Sequence, residues 1–509
     1  MKIKWLIIFL LCISSVEANS FRRDKTNTSS NPGWPMNVDA SQWPVGVLKT
    51  QANADSINAR HQYLISQRHA WTTNGDPLYI NAIQALNPNF EWIEYNSFQD
   101  NYVTSEEHNW ITSRLVAAGL NPENLYMHYW NATVVNLQGS VLSFVGLQNA
   151  TTLADTINSR IPVYYSNRSR ILVNHYNPAT RNLTKQYACM RLTTLPTQGG
   201  YTSTRYIDGI FWDNVQPPFW NYGTVTSGGQ VAEHPTHGLI TDFSINRSGW
   251  WYYENIKPFF LELMDTLRTS ASWTRDNDRK WVDINTAGVI LNDMAVSKIS
   301  DGFGHEFCYS PVRTYTSSIP IIYSWDSLCA VNGIDIVYGA PMITSSSGYL
   351  GSYTYPEAMY SDLCFFYLTS SDSAWLSPMG TPGAANFYWD SLTWCGAMDF
   401  NVGPHYLADK KYSIHQTGVD PRNYAYTIFT RNYPNAKVFL RTRGNYNQHI
   451  DEMTAINVDL LGSYRELYPN GTLGPVVTTT TFRNAQGKIF VPATGTIDSI
   501  PPGPVRDLR

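Results

Sequence analysis

Residues 206–214 read Tyr206-Ile207-Asp208-Gly209-Ile210-Phe211-Trp212-Asp213-Asn214. Side chains alternate along an extended strand, so Gly209, Phe211 and Asp213 fall in one phase and Asp208, Ile210 and Trp212 in the other. The acid closes the run, at the carboxyl end. Residues 299–306 repeat the pattern as Ile299-Ser300-Asp301-Gly302-Phe303-Gly304-His305-Glu306, with Gly302, Gly304 and Glu306 in phase and the acid again last. Small residues in that phase leave room beneath a bound molecule.

Outward from these two segments, short β-like runs alternate with helix-like stretches. Towards the amino terminus lie Tyr63 to Trp71, Phe90 to Tyr95 and Ile171 to His175; towards the carboxyl terminus lie Trp281 to Asn285, Ile334 to Tyr338 and Ala374 to Pro378. Helices are expected at Pro77 to Asn87, Ser105 to Ala118, Pro178 to Leu192 and Trp251 to Ser270. Eight strands in series predict an α/β fold, a (β/α)8 TIM barrel over 60–419. An open doubly wound sheet would satisfy the same alternation, but its nucleotide-binding forms place a glycine-rich fingerprint after the first strand, and none is present. Beyond about residue 420 the grammar changes. Tyr424 to Thr430, Lys437 to Arg441, Met453 to Asn457 and Val476 to Phe482 read as short strands between Gly, Asn and Pro, which predicts a small C-terminal antiparallel β domain over 420–495. Residues 19–59 read as a polar lead-in, and 496–509 as a Pro-rich tail resembling the linker that opens many fibronectin type III modules.

Barrel enzymes assemble their sites at the carboxyl ends of the strands, which is where Asp213 and Glu306 fall. The strand Asp208-Gly209-Ile210-Phe211-Trp212-Asp213-Asn214 resembles that of glycoside-hydrolase-like barrel families related in layout to α-galactosidases. In those families an Asp-Gly-[Ile/Val]-Phe-x-Asp-[Asn/Asp] strand ends in an active-site aspartate. The resemblance runs loosely from about Tyr63 to Thr494, with Tyr426 to Leu440 similar to those families' motif of an Arg followed by a strand. It implies Asp213 as nucleophile or base and Glu306 as general acid after the sixth strand, although an aspartate is common at the latter place. Glycoside cleavage asks for such a pair, one carboxyl protonated to assist the leaving oxygen and one ionised to attack carbon or activate water. A structural role is the competing reading, with Asp213 binding loop amides and Glu306 pairing with a cation such as Arg313.

Glu94, Asn96, His175, Asn285 and Trp375 fall near the carboxyl ends of other expected strands, where hydroxyl-binding groups and a stacking ring are wanted, and Trp212 adjoins Asp213. They are candidate substrate contacts, or ordinary loop-edge residues. The chain holds 33 Tyr and 17 Trp, which suit stacking on sugar rings but serve equally as core. Glu233-His234-Pro235-Thr236-His237 gathers an acid and two imidazoles, but Pro235 prevents the single helical face that a His-Glu-x-x-His zinc motif needs. No metal and no cofactor are expected. Neither a Gly-x-Ser-x-Gly elbow nor a phosphate loop is present.

Residues 1–18 open Met1-Lys2-Ile3-Lys4, run through apolar Trp5 to Ile13 and end in small residues, the pattern of a cleaved signal peptide, so a secreted protein is expected. No later stretch approaches the roughly 18 apolar residues of a membrane span. Thirty-six basic against 40 acidic residues give a net charge of -4, which offers nothing to a phosphate backbone. No nucleic-acid partner is expected; carbohydrate is. Asn27, Asn131, Asn149, Asn167, Asn182, Asn246 and Asn470 stand in Asn-x-Ser/Thr acceptor triplets, a number near what chance allows in such a chain. Short separations favour disulfides Cys308–Cys329 and Cys364–Cys395, leaving Cys189 over. The alternative function is a catalytically silent surface glycoprotein whose barrel binds glycan or serves as a structural module.

Overall fold

The computed structural model describes most of residues 91–212, 251–269, 314–332, 353–370, 411–444 and 454–494. Shorter pieces are described at 34–38, 61–67, 225–227, 230–233, 281–285, 302–305, 335–339, 374–377, 396–400 and 402–403. Two units divide the chain, one of Met1–Ser66, Thr73–Trp92 and Asp301–Arg509, the other of Gln67–Thr72 and Ile93–Ser300.

In the second unit, strands Glu91–Asn96, Gly209–Trp212 and Trp281–Asn285 run parallel, with Gly209–Trp212 in the middle. Between the first two of these the chain folds a separate layer. Asn167–Leu172 pairs antiparallel with Asp100–Tyr102 on one side and Pro162–Tyr164 on the other, so the third expected strand, at Ile171 to His175, is not a member of the parallel set. Its β-like run fixes extended backbone without fixing its partners, and it finds local ones. A second antiparallel trio orders Val225–Ser227, Thr133–Asn136 and Val141–Ser143.

Helix Glu106–Ala117 starts where Ser105 accepts a hydrogen bond from the His108 amide; Glu106 and Glu107 sit in its positive first turn, and Gly119, at φ +72°, follows its end. Ile111 and Leu115 bury one stripe of it against Leu125, Tyr126, Ile171 and Val173. Helix Pro178–Thr193 carries Pro178 in its first turn, and the Asn177 side chain accepts from the amides of Ala179 and Thr180. Trp251–Ile256 is a π-helical turn leading into helix Lys257–Thr269.

In the first unit, Trp34–Val38 pairs parallel with His61–Gln67, so the stretch expected as lead-in contributes a strand. Gly302–His305, Asp335–Gly339 and Ala374–Ser377 form a second parallel run, and Trp34–Val38 lies beside Ala374–Ser377. The carboxyl-terminal part is an antiparallel sheet in the order Ser413–Val419, Ala425–Asn432, Lys437–Arg443, Gly487–Pro492, Ile456–Leu467, Leu473–Phe482. It therefore begins before residue 420 and includes two strands that the sequence reading does not single out. Ile428, Phe439, Val458, Leu460, Phe482 and Phe490 form its core.

Helix Tyr355–Thr369 packs onto this sheet. The Tyr360 hydroxyl donates to the Leu467 carbonyl and accepts from the Ile489 amide, and Ser361 Oγ accepts from the Gly487 amide at 3.2 Å. Arg431 donates to the carbonyls of Tyr367 at 3.1 Å and Ser370 at 2.7 Å, placing its positive charge at the negative end of the helix. The described residues thus form an α/β protein with parallel strands and a C-terminal antiparallel sheet. No helix among them is long and apolar enough to cross a membrane.

Candidate active site

Parallel register fixes which strand ends share a level. Gly209–Trp212 pairs residue for residue with its neighbours, so that Trp212 stands opposite Asn96 on one side and Ile284 on the other. Asp213 is the next residue of the chain after Trp212, and Asn285 the next after Ile284. Asp213 lies outside the described residues, and of Asn285 only the backbone is described. Asp283, which the sequence reading passes over, stands opposite Phe211. Its signal was the Asp-Ile-Asn alternation that closes its strand.

Two side chains show which sheet face meets the helices. Trp212 is fully buried, its ring 5.4 Å from Phe259, 5.0 Å from Phe260 and 5.1 Å from Phe98 between centroids. Glu94, two residues before Asn96 and hence in the same strand phase, reaches helix Pro178–Thr193 and meets Arg191, whose Nε lies 3.1 Å from Oε1. Glu94 and Arg191 are only 3% and 2% exposed, and Arg191 Nη1 also donates to Glu106 at 3.2 Å. Glu94 and Trp212 therefore brace the strand ends from the helix side.

His175 is fully buried, its ring stacked at 3.8 Å on Phe259. Its Nε2–H donates to the Phe98 carbonyl at 2.7 Å, and its own carbonyl accepts from Arg181 Nε at 2.7 Å. Burial drives its pKa down to about 3, a fall that the Phe98 carbonyl opposes and the Arg181 charge assists, so the imidazole is neutral. Asn96 is half-buried, and its Oδ1 accepts from the Ser97 amide at 2.6 Å. Trp212, His175 and Phe98 share contacts with Phe259, so the second unit brings two expected site residues, Trp212 and His175, together around one aromatic core.

In the first unit, His305 stands opposite Tyr338, and Trp375 opposite Val337. Glu306 follows His305 outside the described residues, and the Trp375 side chain is likewise outside them. Cys329 and Cys364 are buried and Cys189 half-buried, while Cys308 and Cys395 fall outside the described residues, so the expected pairing does too. Of the glycan acceptors, Asn149, Asn182 and Asn470 are exposed and Asn131 is half-buried; Asn27, Asn246 and the Asn167 side chain are outside. Among the described residues no group of three or more His, Cys, Asp or Glu is arranged to hold a metal. Glu233, weighed as a ligand, instead holds His128.

No family model matches the chain, and no curated protein matches it. Solved structures do. A debranching enzyme from Nostoc punctiforme aligns at 10% identity and TM-score 0.42 over 91% of this chain and 100% of its own. Amy13B from Eubacterium rectale aligns at 10% identity and TM-score 0.44 over 91% of this chain and 96% of its own. The GH36 α-galactosidase AgaA from Geobacillus stearothermophilus aligns at 9% identity and TM-score 0.40 over 91% of this chain and 56% of its own. At such identities and TM-scores, these likenesses carry no argument about chemistry.

Proposed function

We propose that the chain is a secreted glycoside hydrolase on a (β/α)8 barrel, with Asp213 as nucleophile and Glu306 as acid/base. The observation that carries the reading is the shared level of three parallel strand ends, Asn96, Trp212 and Ile284, with Asp213 and Asn285 next in the chain. Chemistry that needs a carboxylate and hydroxyl-binding amides on one rim finds both residue types there. The neighbourhood of Trp34–Val38 and Ala374–Ser377 supports closure of the barrel. Glu94, His175 and Trp212 brace the rim from the helix side, and Asn96 shares the phase of Glu94 and Trp212; Asn285, in the phase of Asp213, and Trp375 are the proposed contacts with carbohydrate. Glycans at the acceptor asparagines and disulfides Cys308–Cys329 and Cys364–Cys395 belong to the same secreted reading.

A retaining mechanism is the working form. It sets the two carboxyls about 5–5.5 Å apart, whereas an inverting enzyme needs roughly 6.5–9.5 Å to admit a water. The test is turnover on a panel of aryl glycosides and polysaccharides. Asp213→Asn keeps the shape but removes the charge, and is expected to lower kcat by several orders of magnitude while folding and ligand retention persist. Glu306→Gln is expected to spare substrates with good leaving groups, which depart with little proton assistance. Near wild-type turnover in Asp213→Asn would remove it as nucleophile. Glycan binding by a wild-type protein that cleaves nothing on the panel would establish the silent module instead.

A further inference from the structure

A buried ionic cluster lies in the second unit, apart from the strand ends. His128 is 3% exposed, and both its ring nitrogens face carboxylates. Nδ1 is 2.6 Å from Glu233 Oε1, Nε2 is 3.4 Å from Glu123 Oε2, and the His128 amide donates to Glu233 Oε2 at 2.9 Å. Arg160 closes the far side of Glu123, with Nε at 2.8 Å and Nη2 at 2.5 Å. Arg160 also lies over the Tyr126 ring at 4.4 Å, and the Tyr126 hydroxyl bonds His108 Nδ1.

Charge balance decides the protonation state. Glu123 and Glu233 are matched by Arg160 and a doubly protonated His128, while burial and the nearby Arg160 hold His108 neutral against the pull of Glu123. Removing the His128 proton would leave a buried net negative charge and aim a ring lone pair at a carboxylate, a costly arrangement. Burial alone would lower the His128 pKa, yet its bonds to Glu123 and Glu233 carry it above 6.5; for Glu123 the bonds from His128 and Arg160 outweigh burial and bring it to about 2.

The cluster joins two pieces of chain. Residues 230–233 run antiparallel beside 128–130, with the Trp130 amide donating to the Gln230 carbonyl at 2.7 Å and the Ala232 amide to the His128 carbonyl at 2.9 Å. Val225–Ser227 pairs with Thr133–Asn136 just beyond.

We propose that protonated His128 is a positioning residue that pins residues 230–233 to 128–130, and that the pin loosens when the imidazole loses its proton. The pin does not depend on the glycosidase reading. Because the folded-state pKa is raised, the stabilisation is full below pH 6.5 and is lost as pH rises through the folded value. On acidification the contribution of Glu123 is full above its unfolded value of 4.5 and is lost as pH falls towards about 2.

The experiment is a histidine-ring NMR titration, with His128 assigned from the His128→Gln variant, alongside hydrogen exchange at the Trp130 and Ala232 amides corrected for intrinsic rates. His128 is expected to titrate above the usual histidine range. Protection at both amides should fall about tenfold or more across that transition, the worth of a charge-assisted hydrogen bond. In His128→Gln, protection is expected to be low and independent of pH. Glu233→Gln, which keeps an acceptor, should lower the His128 midpoint and decides the matter if His128→Gln does not fold. Protection that stays flat through the wild-type titration, or a His128 midpoint unmoved by Glu233→Gln, would overturn the pin. Asp213→Asn activity is read separately, so the glycosidase reading fails or stands without deciding this one.

Discussion

Replacing Glu94 by Ala removes the carboxylate that neutralises the Arg191 guanidinium inside the second unit. What remains for Arg191 is Glu106, reached through Nη1 at 3.2 Å, and the Glu106 side chain is 63% exposed. Its Nη2 meets no hydrogen-bonding group among the described residues. Breaking a buried pair by deleting one partner costs about 3–5 kcal/mol, because the other charge stays buried without compensation. The exposed Glu106 contributes at most about 1 kcal/mol, so Glu106→Ala is the matched control. Glu94→Leu with Arg191→Met removes both charges and is expected to return stability to near wild type or above it.

The assay is calorimetric unfolding of the three variants. For a unit of about 200 residues, each kcal/mol moves Tm by roughly 2–4 °C, so Glu94→Ala should fall by about 6–20 °C and Glu106→Ala by less than about 4 °C. The double variant tests the cause. If Glu94 acted by touching carbohydrate, Glu94→Ala would raise KM with little change in Tm. A Tm within about 2 °C of wild type for Glu94→Ala would refute the bracing role assigned here.

Two further outcomes follow from the first unit. Asp362 is buried in helix Tyr355–Thr369, its Oδ2 meets no partner among the described residues, and burial holds its pKa well above the carboxylate range. The unfolded chain ionises at about pH 4 while the folded one does not, so stability falls as pH rises from there. Asp362→Asn should therefore raise Tm at pH 7 and leave it nearly unchanged at pH 3.5; equal gains at both pH values would exclude the ionisation argument. At Gly487, an added Cβ would meet Cys364 Cβ at 2.3 Å and Sγ at 2.8 Å. Gly487→Ala is expected to cost about 1–3 kcal/mol in denaturant unfolding, with Cys364→Gly and not Cys364→Ala restoring the room.

The parallel strands were legible because their apolar runs end in polar residues: Glu91–Asn96, Gly209–Trp212, Trp281–Asn285 and Gly302–His305 each fall within or close to the expected runs. Asn167–Leu172 shows the limit of that signal, since composition marks extended backbone but not whether its neighbour is parallel or antiparallel. Helices Ser318–Asn332 and Tyr355–Thr369 left no clear period because apolar residues occupy nearly every face of each, exposed positions such as Ile321 and Val331 included. In the second, every described residue from Ala358 to Ser370 is buried, so no polar face alternates with an apolar one.

The candidate site divides along the same line. Strand phase alone sets Glu94 and Trp212 apart from Asp213, because residues that stand opposite one another in a parallel register share a face, and Trp212 stands opposite Asn96. Which face meets the helices is a tertiary fact, settled by Arg191 and Phe259, residues distant in sequence from the strands they cover. A sequence reading that selects polar or aromatic residues near strand ends therefore collects both faces at once, and gathers bracing residues with candidate contacts. The same blindness hid the His128 cluster. Glu123, His128, Arg160 and Glu233 are spread over more than a hundred positions with no motif among them, and only the antiparallel pairing of 128–130 with 230–233 brings the fourth to the other three. A carboxylate in the Glu233-His234-Pro235-Thr236-His237 run invites a search for metal, yet among the described residues its partner is the His128 imidazolium, because a carboxylate drawn out of water is satisfied by a positive charge that the fold brings beside it.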